Sequence, residues 1–274
     1  MIDVKRIKKY NKASVFGKYI YYFPQIDSTN SYAKRLAHEG APEGTIVITD
    51  YQENGKGQRE NMWESEPGKN ILLSLVLRPH LQIEQVLKIT LATAEIVVNV
   101  LEQFIRKQNL PEIVFNVKWP NDILANGKKI AGILSESSLR NKEIMYIIIG
   151  IGININQDVK QLSKDIREKS TSLLSETGHE TERERLIADL ITQFEKQYHQ
   201  LERTSYSDAI SDWKKRCQCM GSHLVIQSHS GEEEGVFFDI NENGSLLYKT
   251  KQGTIKELIS GSIKRMQAAN GING

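Results

Sequence analysis

The sequence has little of what would place it in a specialised class. Two cysteines in 274 residues, Cys217 and Cys219, cannot build a disulfide framework. Neither sign of charge dominates: 36 Lys+Arg against 34 Asp+Glu leave +2, too little to argue for a nucleic-acid partner. No apolar run approaches the ~18 residues that a membrane span needs. The densest, Ile144–Ile155, is interrupted by Gly150 and Gly152. The opening residues Met1 to Arg6 lack the apolar core of a signal peptide, so the expected compartment is the cytoplasm, with no membrane partner. Only 26 residues precede Asp27, too few for an independent winged-helix module, so no DNA partner is expected. What is present, 39% apolar and 26% charged residues, is the balance of a globular chain with a sizeable core, and it excludes collagen, coiled coil and disorder.

Periodicity predicts an α+β body. Thr45–Asp50 and Ile71–Leu77 are rich in β-branched and aliphatic residues and read as strands, as do Ile113–Trp119 and Tyr146–Asn154. Asn126-Gly127 between apolar flanks is a strong hairpin signal. Ser28 to Glu39 reads as a helix with caps at Asp27, Ser28 and Thr29 and a stop at Gly40, and Val86–Lys107 as a longer, core-packed one. Thr181–Leu201 and Ser207–Arg216 are later helices, the first opening on a Thr181 to Glu184 pattern that resembles a capping box. Past Gly221 the segments His223–Gln227, Gly235–Ile240, Leu246–Lys249 and Ile255–Ile259 are short strands, with a turn at Asn243-Gly244. This spacing predicts a small β-barrel-like module, and a boundary that divides the chain into 1–219 and 220–274.

Four segments concentrate chemistry. In Gln52–Trp63 two glycines, Gly55 and Gly57, let backbone N–H groups approach an anion that Lys56 and Arg59 can neutralise. Taken alone, this segment reads better as a solvated surface loop with ordinary turn glycines. It is not a Walker loop, and Gly150-Ile151-Gly152 does not complete a dinucleotide fingerprint. Lys118-Trp119-Pro120-Asn121-Asp122 sets a cation, an aromatic, an amide and a carboxylate where proline forces the chain out of the sheet. Strict alternation would put Lys129, Ala131 and Ile133 on one face and Lys128, Ile130 and Gly132 on the other, so one lysine of the pair is a candidate to face inward, towards an anion. In Gly150–Asn154, glycines inside a strand mark a close approach by ligand or backbone. Cys217-x-Cys219 with His223 offers too few ligands for a structural zinc site, and Glu232-Glu233-Glu234 reads as a solvated turn.

Taken together and in order, Asp27-Ser28-Thr29-Asn30, Gly55-Lys56-Gly57, Lys118–Asp122, Lys129-Ile130-Ala131-Gly132 and Gly150–Asn154 resemble the biotin–protein ligase family. The likeness runs from about Tyr22 through the final β-module, in the short form without a DNA-binding domain. It implies a mixed central sheet with flanking helices, of the class II synthetase-like kind, followed by a small SH3-like barrel. It also implies an ATP-dependent ligase that makes biotinyl-5′-AMP, releases pyrophosphate, and passes biotin to a lysine of a biotin carboxyl carrier domain. By the same resemblance Ser28, Thr29 and Gln52 would bond the ureido ring, with Gly55, Gly132 and Gly150 lining its pocket. Lys118, Trp119 and Asn121 would shape the ATP site, Asn154 would meet the adenine edge, and Trp63 would close the loop over the ligand. Joining a carboxylate to a phosphate must overcome ~4 kcal/mol of repulsion per charge pair at ~4 Å and effective ε near ~20. Lys129, Lys56 and Arg59 are the cations expected to offset it, with Asp122 holding Mg2+ and helping the acceptor lysine lose its proton.

The chain departs from the family's usual Gly-Arg-Gly-Arg. It reads Gly55-Lys56-Gly57-Gln58, losing a bidentate fork and then a charge, and Glu60 replaces a common glycine. Two rival readings are a lipoate–protein ligase, whose triple glycine is missing from a chain without any Gly-Gly pair, and a silent biotin-sensing protein, against which Lys129 and Asp122 speak. Homodimerisation is not readable from one sequence.

Overall fold

The computed structural model describes residues 1–267 apart from 59, 60, 142, 205, 218, 229 and 230. The body is built on a seven-stranded sheet in the order β1-β2-β3-β7-β6-β5-β4. Its strands are β1 (Ile20–Phe23), β2 (Ile46–Thr49), β3 (Ile71–Leu77), β4 (Phe115–Lys118), β5 (Asp122–Ala125), β6 (Lys128–Arg140) and β7 (Glu143–Ile153). The β1–β2 pair is parallel and every other pairing in the sheet is antiparallel. The helices are α1 (Val4–Tyr10), α2 (Thr29–His38), α3 (Val86–Lys107), the short α4 (Lys164–Arg167) and α5 (Leu173–Thr177), α6 (Arg183–Arg203) and α7 (Ser207–Arg216).

Side-chain alternation divides the sheet into two faces with different work. Ile46 and Ile48 on β2, Ile71, Leu73 and Leu75 on β3 and Ile149, Ile151 and Ile153 on β7 are buried in one core with α3 and α6. The opposite face carries Leu72, Ser74, Gly150, Gly152, Gly132 and Asp122, which the register places side by side across four strands. α2 covers one end of that second face through Ala33 and Ala37, packed on Val47, Val76 and Ile148. The chain's N-terminus is tied to the body at Asp50, which is buried, accepts from Ile2 N (3.1 Å) and Tyr22 Oη (2.7 Å), and pairs with Arg183 at 2.8 Å.

Two expectations of the body change. α6 begins at Arg183 with Glu182 as its cap residue and no side-chain cap, because Thr181 N and O are both taken by the Asn156 amide; the capping box does not form. The alternation predicted for Lys128 to Ile133 is broken: β5–β6 pairing shifts register between Ile123 and Leu124, leaving Ile130 opposite no residue of β5. Cys217 and Cys219 are joined in a disulfide.

The C-terminal strands β8 (His223–Ser228), β9 (Gly231–Ile240), β10 (Leu246–Lys249), β11 (Ile255–Leu258) and β12 (Ser262–Gln267) form a five-stranded antiparallel sheet in the order β11-β10-β9-β8-β12. The pairings leave β11 and β12 as edges rather than closing a barrel. This sheet shares the main core through Leu224, Ile226, Phe237 and Leu246, and the turn glycine Gly244 lies against Leu87 and Leu91 of α3. Among the described residues, no helix is long and apolar enough to cross a membrane.

Candidate active site

The glycine-bearing face of the sheet opens into a cavity of about 800 Å³. Its floor is Gly132, Gly150 and Gly152, and the close approaches there show why glycine is required. A Cβ on Gly152 would lie 2.8 Å from the Trp63 ring, one on Gly132 would lie 3.0 Å from the same ring, and one on Gly150 would collide with the Asn30 amide. Trp63 is carried over the floor by a hairpin-like loop, closed by Trp63 N donating to Gly55 O (2.9 Å) and Gly57 N donating to Asn61 O (2.8 Å). Its indole Nε1 is buried, with no hydrogen-bond partner among the described residues.

Ser28, Thr29, Asn30 and Gln52 line one wall, with Ser74 and Glu136 behind it as their hydrogen-bond partners. Ser28 caps α2, its Oγ accepting from Ser31 N at 3.5 Å, and the resulting helix start presents Thr29 and Asn30 to the sheet. Thr29 N and Oγ1 donate to Gln52 Oε1 at 2.8 and 3.0 Å. Ser74 Oγ lies 2.8 Å from Thr29 Oγ1 and 2.6 Å from Asn30 Oδ1, and Asn30 Nδ2 donates to Glu136 Oε2 at 2.9 Å. Buried hydroxyls and amides held this way are preorganised donors and acceptors for a polar, planar ligand. Ser74 was missed from sequence, although a lone hydroxyl in Ile-Leu-Leu-Ser-Leu-Val-Leu was a usable signal.

The charged end lies at the β4–β5 turn. Trp119-Pro120 is a cis peptide, and Asn121 locks this turn onto β6, its Nδ2 donating to Ile133 O at 2.8 Å and its carbonyl accepting from Ile133 N at 2.9 Å. Lys118 and Asp122 are cross-strand partners there. Lys129 Nζ meets Asp122 Oδ1 at 2.5 Å, both side chains part-exposed at 33% and 23%. The bulge at Ile130 delivers Lys129 to the glycine side, where its Nζ lies 5.4 Å from the centre of the Trp63 ring and 3.3 Å from where a Gly132 Cβ would stand. Its backbone is clamped by a second segment: Lys129 N donates to Lys169 O (2.8 Å), and Thr171 N donates to Lys129 O (2.9 Å).

Of the residues singled out in the sequence, Ser28, Thr29, Gln52, Lys56, Trp63, Lys118, Trp119, Asn121, Asp122, Lys129, Gly132 and Gly150 all line this one cavity. Gly55 does not line it; it packs against the Trp63 backbone, where a Cβ would come to 2.6 Å of Trp63 O. Nor does Asn154, which is buried with its amide donating to Thr171 O at 3.0 Å, so it supports the segment that clamps Lys129 instead of facing the cavity. Trp119 is turned largely into the core, its Nε1 donating to Gly244 O at 3.0 Å and so tying the turn to the C-terminal sheet. Arg59 lies outside the described residues. Lys169, Gln227 and Lys264 were missed and also line the cavity; they come from a loop and from the second sheet, far along the chain from every motif.

A glycine floor under a lysine–aspartate pair, walled by fixed hydroxyls and amides, has the chemistry to take a polar ligand beside an anion. The comparisons with known proteins agree. Residues 22–154 match the model of the biotin/lipoate A/B protein ligase family. Over 253 residues the chain is 32% identical to the bifunctional ligase/repressor BirA of Bacillus subtilis, covering 92% of this chain and 76% of that protein. It is 28% identical over 229 residues to the biotin–[acetyl-CoA-carboxylase] ligase of Paracoccus denitrificans, covering 83% and 92%. The solved biotin protein ligase of Aquifex aeolicus, in complex with biotin and ATP, superposes with a TM-score of 0.74 at 25% identity, over 92% of this chain and 99% of that one. The chain belongs to the biotin/lipoate A/B protein ligase family.

Proposed function

We propose that this protein is a biotin–[acetyl-CoA-carboxylase] ligase that joins biotin to ATP and transfers it to a lysine of a biotin carboxyl carrier domain. The observation that carries this reading is the Lys129–Asp122 pair standing over the Gly132–Gly150–Gly152 floor, beside the Ser28–Thr29–Gln52 polar wall. In the first step a biotin carboxylate oxygen bonds to the α-phosphorus, the bond from that phosphorus to the bridging oxygen breaks, and pyrophosphate leaves with the electron pair. Lys129 and Lys56 offset the repulsion between the two anions. The first is fixed by its backbone clamp; the second, donating to Ser31 Oγ at 2.8 Å, sits on the loop that carries Trp63. Arg59 is assigned to the same task.

Ser28, Thr29 and Gln52 take the ureido group, with Gly132 and Gly150 leaving it room, and Gly55 acts through the loop backbone. Lys118, Trp119, Asn121 and Trp63 take the nucleotide. The sequence-based adenine role of Asn154 gives way to the one its hydrogen bond supports, holding Thr171 against Lys129. Asp122 is the carboxylate that would hold a magnesium ion here; among the described residues it is not part of a cluster of three or more His, Cys, Asp or Glu. Such an ion would neutralise part of the phosphate charge.

In the second step the acceptor amine attacks the acyl carbon, AMP leaves, and Asp122 is the carboxylate assigned to take the amine's proton. We read the fold as the class II synthetase-like kind, and the small sheet as an SH3-like module beginning near residue 220. The reading needs no DNA, no membrane and no second copy, and it places the protein with ATP in the cytoplasm. Incubating protein, ATP, labelled biotin and a carrier fragment tests it: label must appear on the carrier lysine and must not appear when lipoate replaces biotin. A carrier left unlabelled would reject the reading.

A further inference from the structure

Lys129 sits beside the register shift in the β5–β6 pairing, where Leu124 faces it and Ile130 faces no residue of β5. A strand at such a bulge loses part of its ladder, so its backbone must be held from elsewhere. Here the holder is the segment 169–171. Ser170 runs parallel beside Lys129, whose N donates to Lys169 O at 2.8 Å and whose O accepts from Thr171 N at 2.9 Å. Where the Lys129 side chain enters the cavity therefore depends on how this segment sits against the β5–β6 hairpin.

One carboxylate fastens the two together. Glu176, on α5, accepts from Thr171 Oγ1 through Oε1 at 2.5 Å and from Asn126 Nδ2 through Oε2 at 2.6 Å. Thr171, whose N–H holds Lys129, is only 3% exposed. Asn126 opens the turn that joins β5 to β6, in the left-handed region at φ 48°. Its own place is fixed by the chain before β4: Asn126 N donates to Val114 O at 2.9 Å, and Val114 N donates to Asn126 Oδ1 at 3.1 Å. A carboxylate that gives one oxygen to each of two elements sets the distance between them. Glu176, Thr171 and Asn126 do not line the cavity, and the first two lie beyond the 22–154 segment that matches the family model.

We propose that Glu176 is a positioning residue for adenylate formation, which keeps Lys129 aimed into the cavity by locking the segment 169–171 to the tip of the β5–β6 hairpin. This deepens the ligase reading above and rests on it. Glu176 acts on the rate and not on biotin affinity, because the polar wall of Ser28, Thr29 and Gln52 belongs to other elements. Glutamine can do the same work: its amide oxygen accepts from Asn126 and its NH2 donates to Thr171 Oγ1.

The test is single-turnover formation of biotinyl-AMP by the full chain, with biotin binding and thermal melting measured beside it. Glu176→Ala should slow adenylate formation about tenfold and leave the Kd for biotin within about twofold of the parent. Glu176→Gln should stay within about threefold of the parent rate. Combining Glu176→Ala with Lys129→Met should give the rate of Lys129→Met alone, because the group that Glu176 aims is then gone. A residue that merely supports the fold would slow both backgrounds equally. Thr171→Val, which removes the hydroxyl and keeps the backbone N–H, should behave like Glu176→Ala, and the same cycle run with it decides the matter if Glu176→Ala fails to fold. The proposal is overturned by a folded Glu176→Ala that forms the adenylate at the parent rate, by an equal loss in the Lys129→Met background, or by a loss confined to biotin affinity. A parent protein that forms no biotinyl-AMP would instead overturn the ligase reading itself, so the two failures are separable.

Discussion

Lys129→Met separates what the ammonium does for chemistry from what it does for the fold. Methionine keeps the unbranched stem beside Trp63 and Gly132 and deletes the charge. The structural loss is small. The pair with Asp122 is a quarter to a third exposed, so its discounted contribution to stability is below ~1 kcal/mol, and Asp122 can rehydrate where it stands. In a chain of this size that is a shift in Tm of about 2–4 °C. The chemical loss is larger, because a fixed cation aimed at developing charge in a partly desolvated site is worth ~10²–10³ in rate, or ~2.7–4 kcal/mol. Single-turnover formation of biotinyl-AMP should therefore slow at least ~100-fold while the melting curve stays within a few degrees of the parent. A variant that forms the adenylate within about fivefold of the parent rate would refute the assignment of Lys129. A variant that has lost its cooperative melt would refute the claim that the pair is marginal for folding.

Gly150→Ala should lower stability by about 1–3 kcal/mol in denaturant unfolding and weaken biotin, because the added methyl displaces the Asn30 amide from Ser74. Burial pushes the Glu95 carboxyl up to about 7, outweighing Arg216 beside it at 2.9 Å. A carboxyl raised on folding means the native state binds more protons. Its contribution is thus fully present below the ordinary value of 4.5 and is lost as pH rises to 7; Glu95→Gln should flatten that fall in stability between those limits. Asp50 behaves oppositely. Although burial works against its charge, bonds from Tyr22, Arg183 and Ile2 N hold its pKa below the usual carboxylate value, so its contribution persists above that value and disappears in acid, a loss Asp50→Asn should remove from the acid limb. Restoring arginines with Lys56→Arg/Gln58→Arg should slow biotinyl-AMP dissociation, since a planar fork and a second charge return to the loop; equal off-rates would reject this role for the loop.

Much of the sheet was readable because its strands are long apolar runs: Ile71–Leu77 is entirely buried and Tyr146–Ile153 nearly so. The N-terminal α1 and β1 were not readable. α1 is one short capped segment with a single fully buried residue, Ile7, and β1 is a four-residue edge strand, so neither is long enough to show a period. Local motifs brought Ser28, Gln52, Lys118–Asp122 and Gly132 into one cavity as expected. The inward turn of Lys129 was anticipated, but not its cause, since a bulge is a property of two strands in register and leaves no mark on one. Asn154 misled for a related reason: an amide at a strand end looks available until the loop carrying Thr171 is placed against it. Lys169 and Lys264 had no motif at all; only the fold brings them to the others.

The central claim is that this cavity makes an anhydride between a biotin carboxylate and AMP. Its most direct test is isotope exchange between pyrophosphate and ATP by the intact protein, with no carrier present. The account predicts exchange that starts on adding biotin and is absent without it; no biotin-dependent exchange from a folded protein supplied with magnesium would contradict it.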